Sequence, residues 1–149
     1  MHSRIVPDIV DGQVIHSLPE SATAFEAAQR MLEHNIAAVL VTGADGKLLG
    51  IVTERDMTRR VVAAGLDARA TPLSKVMTRN PDTLAPADTA RDALELMHVR
   101  GIRHLPVTQD DGHVVGMVSM RDLHAAVEHT LEDELHETEA FVFGERYGT

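Results

Sequence analysis

The chain has no cysteine, no tryptophan and only four aromatic residues, and its basic side chains are outnumbered by acidic ones. Without cysteine it forms no disulfide, no zinc–thiolate site and no iron–sulfur cluster, and it offers no thiol nucleophile. No apolar run approaches the roughly 18–20 residues that span a bilayer. The opening MHSRIVPDIVDG also lacks the basic and apolar regions of a secretory leader, so a cytoplasmic protein that does not enter membranes is expected. With 14 Lys and Arg against 23 Asp and Glu, the formal net charge is −9 over 149 residues. That field repels phosphate backbones, and no local basic patch of the size nucleic acid needs offsets it, which argues against a nucleic-acid partner. What is present, 44% hydrophobic and 25% charged residues, is the composition of an ordinary folded protein of one compact domain or two small ones.

The chain repeats itself at an offset of 66 residues. Thr23 to Met57 lies over Thr89 to Leu123 without a gap, with 13 identities in 35 columns. The identities include Ala27 with Ala93, Met31 with Met97, Ile36 with Ile102, Gly50 with Gly116, and Arg55-Asp56 with Arg121-Asp122.

Each copy reads as helix, strand, strand, helix. Ala24, Ala27, Ala28, Met31 and Leu32 recur at helical spacing with Thr23 as a cap, which predicts an amphipathic helix over Ala24 to Glu33. Ile36 to Thr42 and Leu48 to Val52 flank Gly43-Ala44-Asp45-Gly46, a hairpin pattern. Thr53 opens a second helix, Glu54 to about Ala64, which Gly65 can end. Short apolar segments, Val14 to Leu18 and Thr83 to Leu84, precede the copies and offer an edge strand. The boundaries expected are a first unit over 1–66, a linker over 67–81 ordered by its contacts, a second unit over 82–128, and a C-terminal helix and tail over 129–149. A unit of about 50 residues has too small a core to stand alone. The two copies must therefore pack together as a pseudo-twofold pair of small α/β units, with clefts that also come in pairs.

The sharpest motif is Gly50-Ile51-Val52-Thr53-Glu54-Arg55-Asp56, echoed by Gly116-Met117-Val118-Ser119-Met120-Arg121-Asp122. A hydroxyl at the helix start with an acid three residues on is a capping box. The same turn aims free N–H groups, a hydroxyl and the positive end of the helix dipole at one spot, which suits a phosphate or ribose. An aspartate there can accept from two vicinal hydroxyls, and Arg55 and Arg121 offer forked donors to phosphate. In Gly101-Ile102-Arg103-His104-Leu105-Pro106-Val107, Arg103 and His104 stand where the first copy has Ala37 and Ala38. They either face solvent beside an acidic neighbour or turn into a cleft and bind an anion.

The helix–strand–strand–helix unit, the two hydroxyl-x-x-Asp turns, the R-H-L-P-V strand and the linker Val76-Met77-Thr78-Arg79-Asn80-Pro81 together resemble tandem CBS domains, the Bateman module, over roughly Val14 to Val127. The resemblance implies an α/β (α+β) fold of two CBS repeats, each a small sheet with two helices. It implies a regulatory sensor of AMP, ADP, ATP, S-adenosylmethionine or NAD(H), not an enzyme, with no resident cofactor. One cleft would join Thr53, Arg55 and Asp56 to Ile102, Arg103 and His104. The other would join Ser119, Arg121 and Asp122 to Ile36, Ala37 and Ala38, and Thr78 would touch ligand from the linker. By the same resemblance Asp56 and Asp122 hold ribose, Thr53 and Ser119 with the arginines hold phosphate, and the strands hold adenine. The first cleft has the fuller polar set, so it is the expected principal site.

The alternative from a different class is a structural interaction module that has lost its ligand, suggested by the alanines of the second cleft. His129 with Asp133 and His136 with Glu132 have the spacing of metal ligands on a helix, but an acidic solvated face accounts for them, and no metal is expected. No nucleophile-elbow serine is present. Three of the four aromatics, Phe141, Phe143 and Tyr147, crowd the tail, where they either pack on the chain's own surface or anchor a homodimer. The resemblance favours the homodimer, and with no effector domain in the sequence, output is expected through an unidentified protein partner.

Overall fold

The computed structural model describes residues 3–146. The side chains of Phe141, Phe143 and Tyr147, and with them the expected docking role, lie outside the described residues.

In the first repeat, strand β1 (Ser17–Leu18) leads to helix α1 (Ala24–His34), hairpin strands β2 (Ala38–Thr42) and β3 (Leu48–Thr53), and helix α2 (Glu54–Met57). Past α2 the helix continues over Thr58–Val62 with a wider turn, in which Ala63 N–H donates to Thr58 O at 2.9 Å. Gly65, at φ +70°, ends it as expected. A single turn, α3 (Leu73–Val76), and β4 (Thr78–Arg79) follow. The second repeat is α4 (Ala90–Arg100), β5 (His104–Thr108), β6 (Val114–Ser119) and α5 (Met120–Arg146).

The first sheet has the order β1-β2-β3-β4, with β1 parallel to β2 and the others antiparallel. The second has β5 antiparallel to β6, with Leu84 bridging Val107 in parallel just as β1 pairs β2. Both hairpins slip register at the same place, after Val41 and after Val107.

All four main helices start on a hydroxyl with an acid three residues on. Thr23 with Glu26, Thr53 with Asp56, Thr89 with Asp92, and Ser119 with Asp122 each exchange side-chain-to-backbone hydrogen bonds of 2.8–3.2 Å. At Asp92 these bonds from Thr89 hold the carboxyl below its usual range. Helices α1 and α4 bury matching rows, Ala24, Ala27 and Met31 against Ala90, Ala93 and Met97. The alanines let the helices approach the sheets closely, and each methionine buried contributes about 1.5–3 kcal/mol. Ala28 and Leu32, placed on the apolar face by spacing alone, are exposed. They are rotated off the 24, 27, 31 row toward the space between the repeats.

Neither core is completed by its own repeat. Leu73, Val76 and Met77, from the segment between the copies, are buried with α1 and the first sheet. Ile5 and Val10, from before the first copy, are buried with α4, Leu105, Val107, Val118 and Leu123 of the second. The hydrogen bonds match: Leu73 N–H donates to Ala22 O and Ile5 N–H to Asp88 O, both at 2.8 Å. Each core is thus closed by a segment that precedes the other repeat in the chain.

The repeats meet about a pseudo-twofold axis. Leu48 N–H donates to Gly112 O at 3.1 Å, and its counterpart Val114 N–H donates to Gly46 O at 3.4 Å. Behind the turns, Ala38, Leu40 and Ile51 pack with Leu48, Val114 and Met117 in a core shared by the two sheets.

Candidate functional site

Beside that shared core opens a cavity of about 1140 Å³. One wall comes from the first repeat: Met31 and Asn35 of α1, Ile36 to Ala38 at the entry to β2, and Glu54 and Met57 of α2. The facing wall comes from the second: Arg103 and His104 at the start of β5, Met117 of β6, and Ser119 to Asp122 at the start of α5, with His124 a turn further on. Gln13 to His16 of the incoming chain close the third side. Four methionines, Met31, Met57, Met117 and Met120, give the lining a soft apolar part beside its polar groups.

Local folding explains how these groups converge. Ile36 N–H donates to Met31 O at 3.0 Å, turning the chain sharply out of α1, and Asn35 takes the left-handed conformation that this exit requires, φ 51°. The carbonyl of Ala37 then accepts from Glu54 N–H at 3.0 Å, and that of Arg103 from Met120 N–H at 2.8 Å. In each repeat the entry to the first hairpin strand is tied to the start of the following helix.

The structure brings together one expected set and divides the other. Ser119, Arg121, Asp122, Ile36, Ala37 and Ala38 all line the cavity. Of the set expected to be principal, only Arg103 and His104 do so. Thr53, Arg55, Asp56, Ile102 and Thr78 fall outside its lining. Thr53 and Asp56 cap each other, and Arg60 Nε lies 3.8 Å from Asp56 Oδ1 while Arg60 Nη1 donates to Val76 O and Met77 O. Arg55 is exposed on α2, Ile102 packs on the second core, and Thr78 pairs with Ile51 in the first sheet. The position equivalent to Arg60 in the second repeat is Ala126, whose side chain carries no charge to pair with Asp122.

The charges lining the cavity are mixed. Burial holds the His104 imidazole below the usual histidine range against the opposing pull of the Asp122 and Glu54 carboxylates, and neighbouring Arg103 pushes the same way as burial. His16 is lowered too, by burial and by His34 and Arg30, and its ring stacks on His34 with centroids 4.3 Å apart. At neutral pH the site therefore offers two arginines, two carboxylates, the neutral imidazoles of His16 and His104 and a capped helix start to whatever enters. Sequence reasoning did not single out His16, Glu54, Met57, Met117 or His124. The 66-residue offset was a usable signal for one of them, since Glu54 and Met120, which also lines the cavity, are counterparts beside the motif.

The family model described as CBS domain matches residues 3–63 and 73–129. The chain belongs to the CBS-domain family. Its two repeats make it a CBS pair, and solved CBS pairs share its architecture. A CBS-domain containing protein from Agrobacterium tumefaciens superposes with a TM-score of 0.73 at 33% identity, covering 80% of this chain and 90% of that one. A CBS domain protein from Pyrobaculum aerophilum complexed with AMP gives 0.69 at 32%, covering 74% and 83%. The CBS domain pair of protein MJ0100, in complex with 5-methylthioadenosine and S-adenosyl-L-methionine, gives 0.72 at 28%, covering 80% and 96%. A mitochondrial CBS domain-containing protein of Arabidopsis thaliana, CBSX3, is 35% identical over 126 residues. The CBS pair matches 82% of its own length there but 61% of the relative's, and only 19% of a second Arabidopsis relative, CBSCBSPB5. Among the described residues no helix is long and apolar enough to cross a membrane.

Proposed function

We propose that this CBS pair is a regulatory sensor that binds an adenosine-bearing compound (AMP, ADP, ATP, S-adenosylmethionine or NAD(H)) in the cavity between its repeats. The observation that carries the reading is the cavity itself, where the capped start of α5, with Ser119, Arg121 and Asp122, faces the Ile36-Ala37-Ala38 entry of the opposite repeat. A 27-residue helix aims its positive end there, which favours an anion. Arg121 and Arg103 supply forked donors for phosphate or carboxylate. Asp122 is placed to accept from ribose hydroxyls, and Ile36, Met31 and the alanines give an apolar seat for the base. Solved relatives holding AMP and S-adenosyl-L-methionine support the ligand class.

In this reading the protein acts by binding and not by turnover, as a homodimer in the cytoplasm, and passes its signal to a protein partner. The ligand acts only as far as it binds one state of the pair better than another. Titration calorimetry with each of the five compounds tests it. Arg103→Ala combined with Arg121→Ala is expected to weaken a phosphate-bearing ligand at least about tenfold, equivalent to about 1.4 kcal/mol. Asp122→Asn, which keeps an acceptor for the Ser119 cap, should weaken every ligand that presents a ribose. Failure of all the adenine compounds to bind, or to raise the melting temperature, would reject the sensor and leave a structural interaction module.

A further inference from the structure

The acidic and basic side chains that line the cavity cancel in charge. Arg103 and Arg121 stand against Glu54 and Asp122, in a chain whose formal net charge is −9. Under the adenosine reading the arginines serve the anionic group, and Asp122, which also completes the α5 cap, serves the ribose. Glu54 has no such part. It is the first residue of α2, and its N–H donates to Ala37 O. Its counterpart Met120 opens α5, donates in the same way to Arg103 O and lines the same cavity. The pseudo-twofold thus brings two helix starts to one space, with a charge on the first residue of only one of them. Glu54 is exposed, and among the described residues its carboxylate forms no hydrogen bond or salt bridge, because Thr53 and Asp56 make the α2 cap. It nevertheless acts across the gap. The His104 imidazole, on the opposite repeat, feels the carboxylates of both Glu54 and Asp122. A negative charge that a ligand sets beside Arg103, the neighbour of that ring in the chain, therefore lies in the field of Glu54 too.

We propose that Glu54 sets the charge limit of the cavity, so that it admits an adenosine compound with at most one phosphate and disfavours di- and triphosphates. The proposal rests on the adenosine reading above and narrows it. A single terminal phosphate carries about −1.5 to −2 at neutral pH, which the two arginines offset. Each phosphate beyond it adds about one more negative charge. Among the described residues no further lysine or arginine lines the cavity, so that charge meets the carboxylates instead. Repulsion between unit charges several ångströms apart, at the high effective dielectric of an open site, is worth about three- to thirtyfold in affinity. A carboxylate in the first turn also favours α2 through the helix dipole. That role alone would move stability and leave the preference between ligands unchanged, so the ratio of two affinities is the quantity that separates them.

Titration calorimetry of the full chain with AMP, ATP and S-adenosylmethionine, in magnesium-free buffer, tests it. The wild type should bind AMP more tightly than ATP. Glu54→Gln should shift the ratio of the two affinities toward ATP by about three- to thirtyfold, and Glu54→Lys should shift it further in the same direction. Raising the salt from about 0.05 to about 0.5 M, which shortens the Debye length several-fold, should shrink the wild-type preference. A wild type that binds ATP as tightly as AMP, or a ratio that stays the same in both variants, overturns the charge limit while the sensor reading stands. Binding of neither nucleotide by the wild type or the variants also overturns it, and S-adenosylmethionine then tells whether the sensor reading falls as well.

Discussion

Gln13 offers Met117 both halves of a peptide group: its Oε1 accepts from Met117 N–H at 2.8 Å and its Nε2 donates to Met117 O at 3.1 Å. In the first repeat the equivalent edge of the sheet is covered by β4, where Ile51 pairs with Thr78. A side-chain amide thus does in the second repeat what a strand does in the first. It also fixes the segment Gln13 to His16 against one side of the cavity.

Replacing Gln13 tests this latch. Gln13→Glu keeps the shape but turns the donor into an acceptor that faces the Met117 carbonyl. It should lower stability by about 1 kcal/mol, a net hydrogen bond's worth. For a chain of this size that is about 2–4 °C in melting temperature. Cleavage by a protease near residues 11–16 should speed up as well, and unchanged cleavage would show that the latch does not hold the segment.

Gly50 and Gly116 sit where the covering segments come closest. A Cβ on Gly50 would lie 2.7 Å from the Thr78 carbonyl and 2.8 Å from Met77 Sδ, and one on Gly116 would meet Val10 Cγ1 and Gln13 Oε1. Gly50→Ala presses on backbone that cannot yield, so a loss of about 1–3 kcal/mol is expected. Gly116→Ala presses on side chains and should act mainly by loosening the N-terminal segment. Hydrogen exchange at Ile5 and Val10 distinguishes the two, rising in Gly116→Ala and not in Gly50→Ala.

Thr53 and Ser119 are the same cap in the two repeats, yet only Ser119 lines the cavity. Thr53→Ala and Ser119→Ala should each cost about 1 kcal/mol of stability. Ligand affinity, measured by calorimetry, should fall only in Ser119→Ala. Equal loss of affinity in both would place a ligand beside Thr53 as well.

His104 gives the site a pH dependence. Its imidazole is held below the usual range in the folded chain. As pH falls below the unfolded value of about 6.5, the unfolded chain therefore takes up a proton that the folded chain resists. Stability should drop across that interval, less steeply in His104→Gln, and thermal melts at a series of pH values read the difference. A phosphate beside Arg103 would favour the charged ring, so binding an anionic ligand should draw in protons and tighten as pH falls from neutrality. Calorimetry in buffers of different ionisation enthalpy detects that uptake.

Much of the local structure was legible in residue patterns. The caps Thr23, Thr53, Thr89 and Ser119, the stop at Gly65 and the hairpin turn at Gly46 follow from chemistry that acts within four residues. Duplication then carried each reading to a second copy. The roles of Ile5, Val10, Leu73, Val76 and Met77 were not legible, because short apolar segments without periodicity do not say which repeat they will cover. Ala28 and Leu32 misled for a related reason. Helical spacing defines a broad face, but only the packing partner decides which edge of that face is buried.

The order of elements, the twofold repetition and the helix starts that could serve a ligand were determined by the sequence alone, since each depends on neighbours along the chain. Which helix start opens onto a cavity was decided by tertiary structure. Arg60 reaches from the wide turn after α2 to Asp56 and to the carbonyls of Val76 and Met77. Ala126, its counterpart, has no such reach, and Asp122 lies on the cavity wall facing the alanines of the other repeat. Two motifs nearly alike in sequence thus differ in surroundings, because long-range packing surrounds one with its own repeat and leaves the other at the space between repeats.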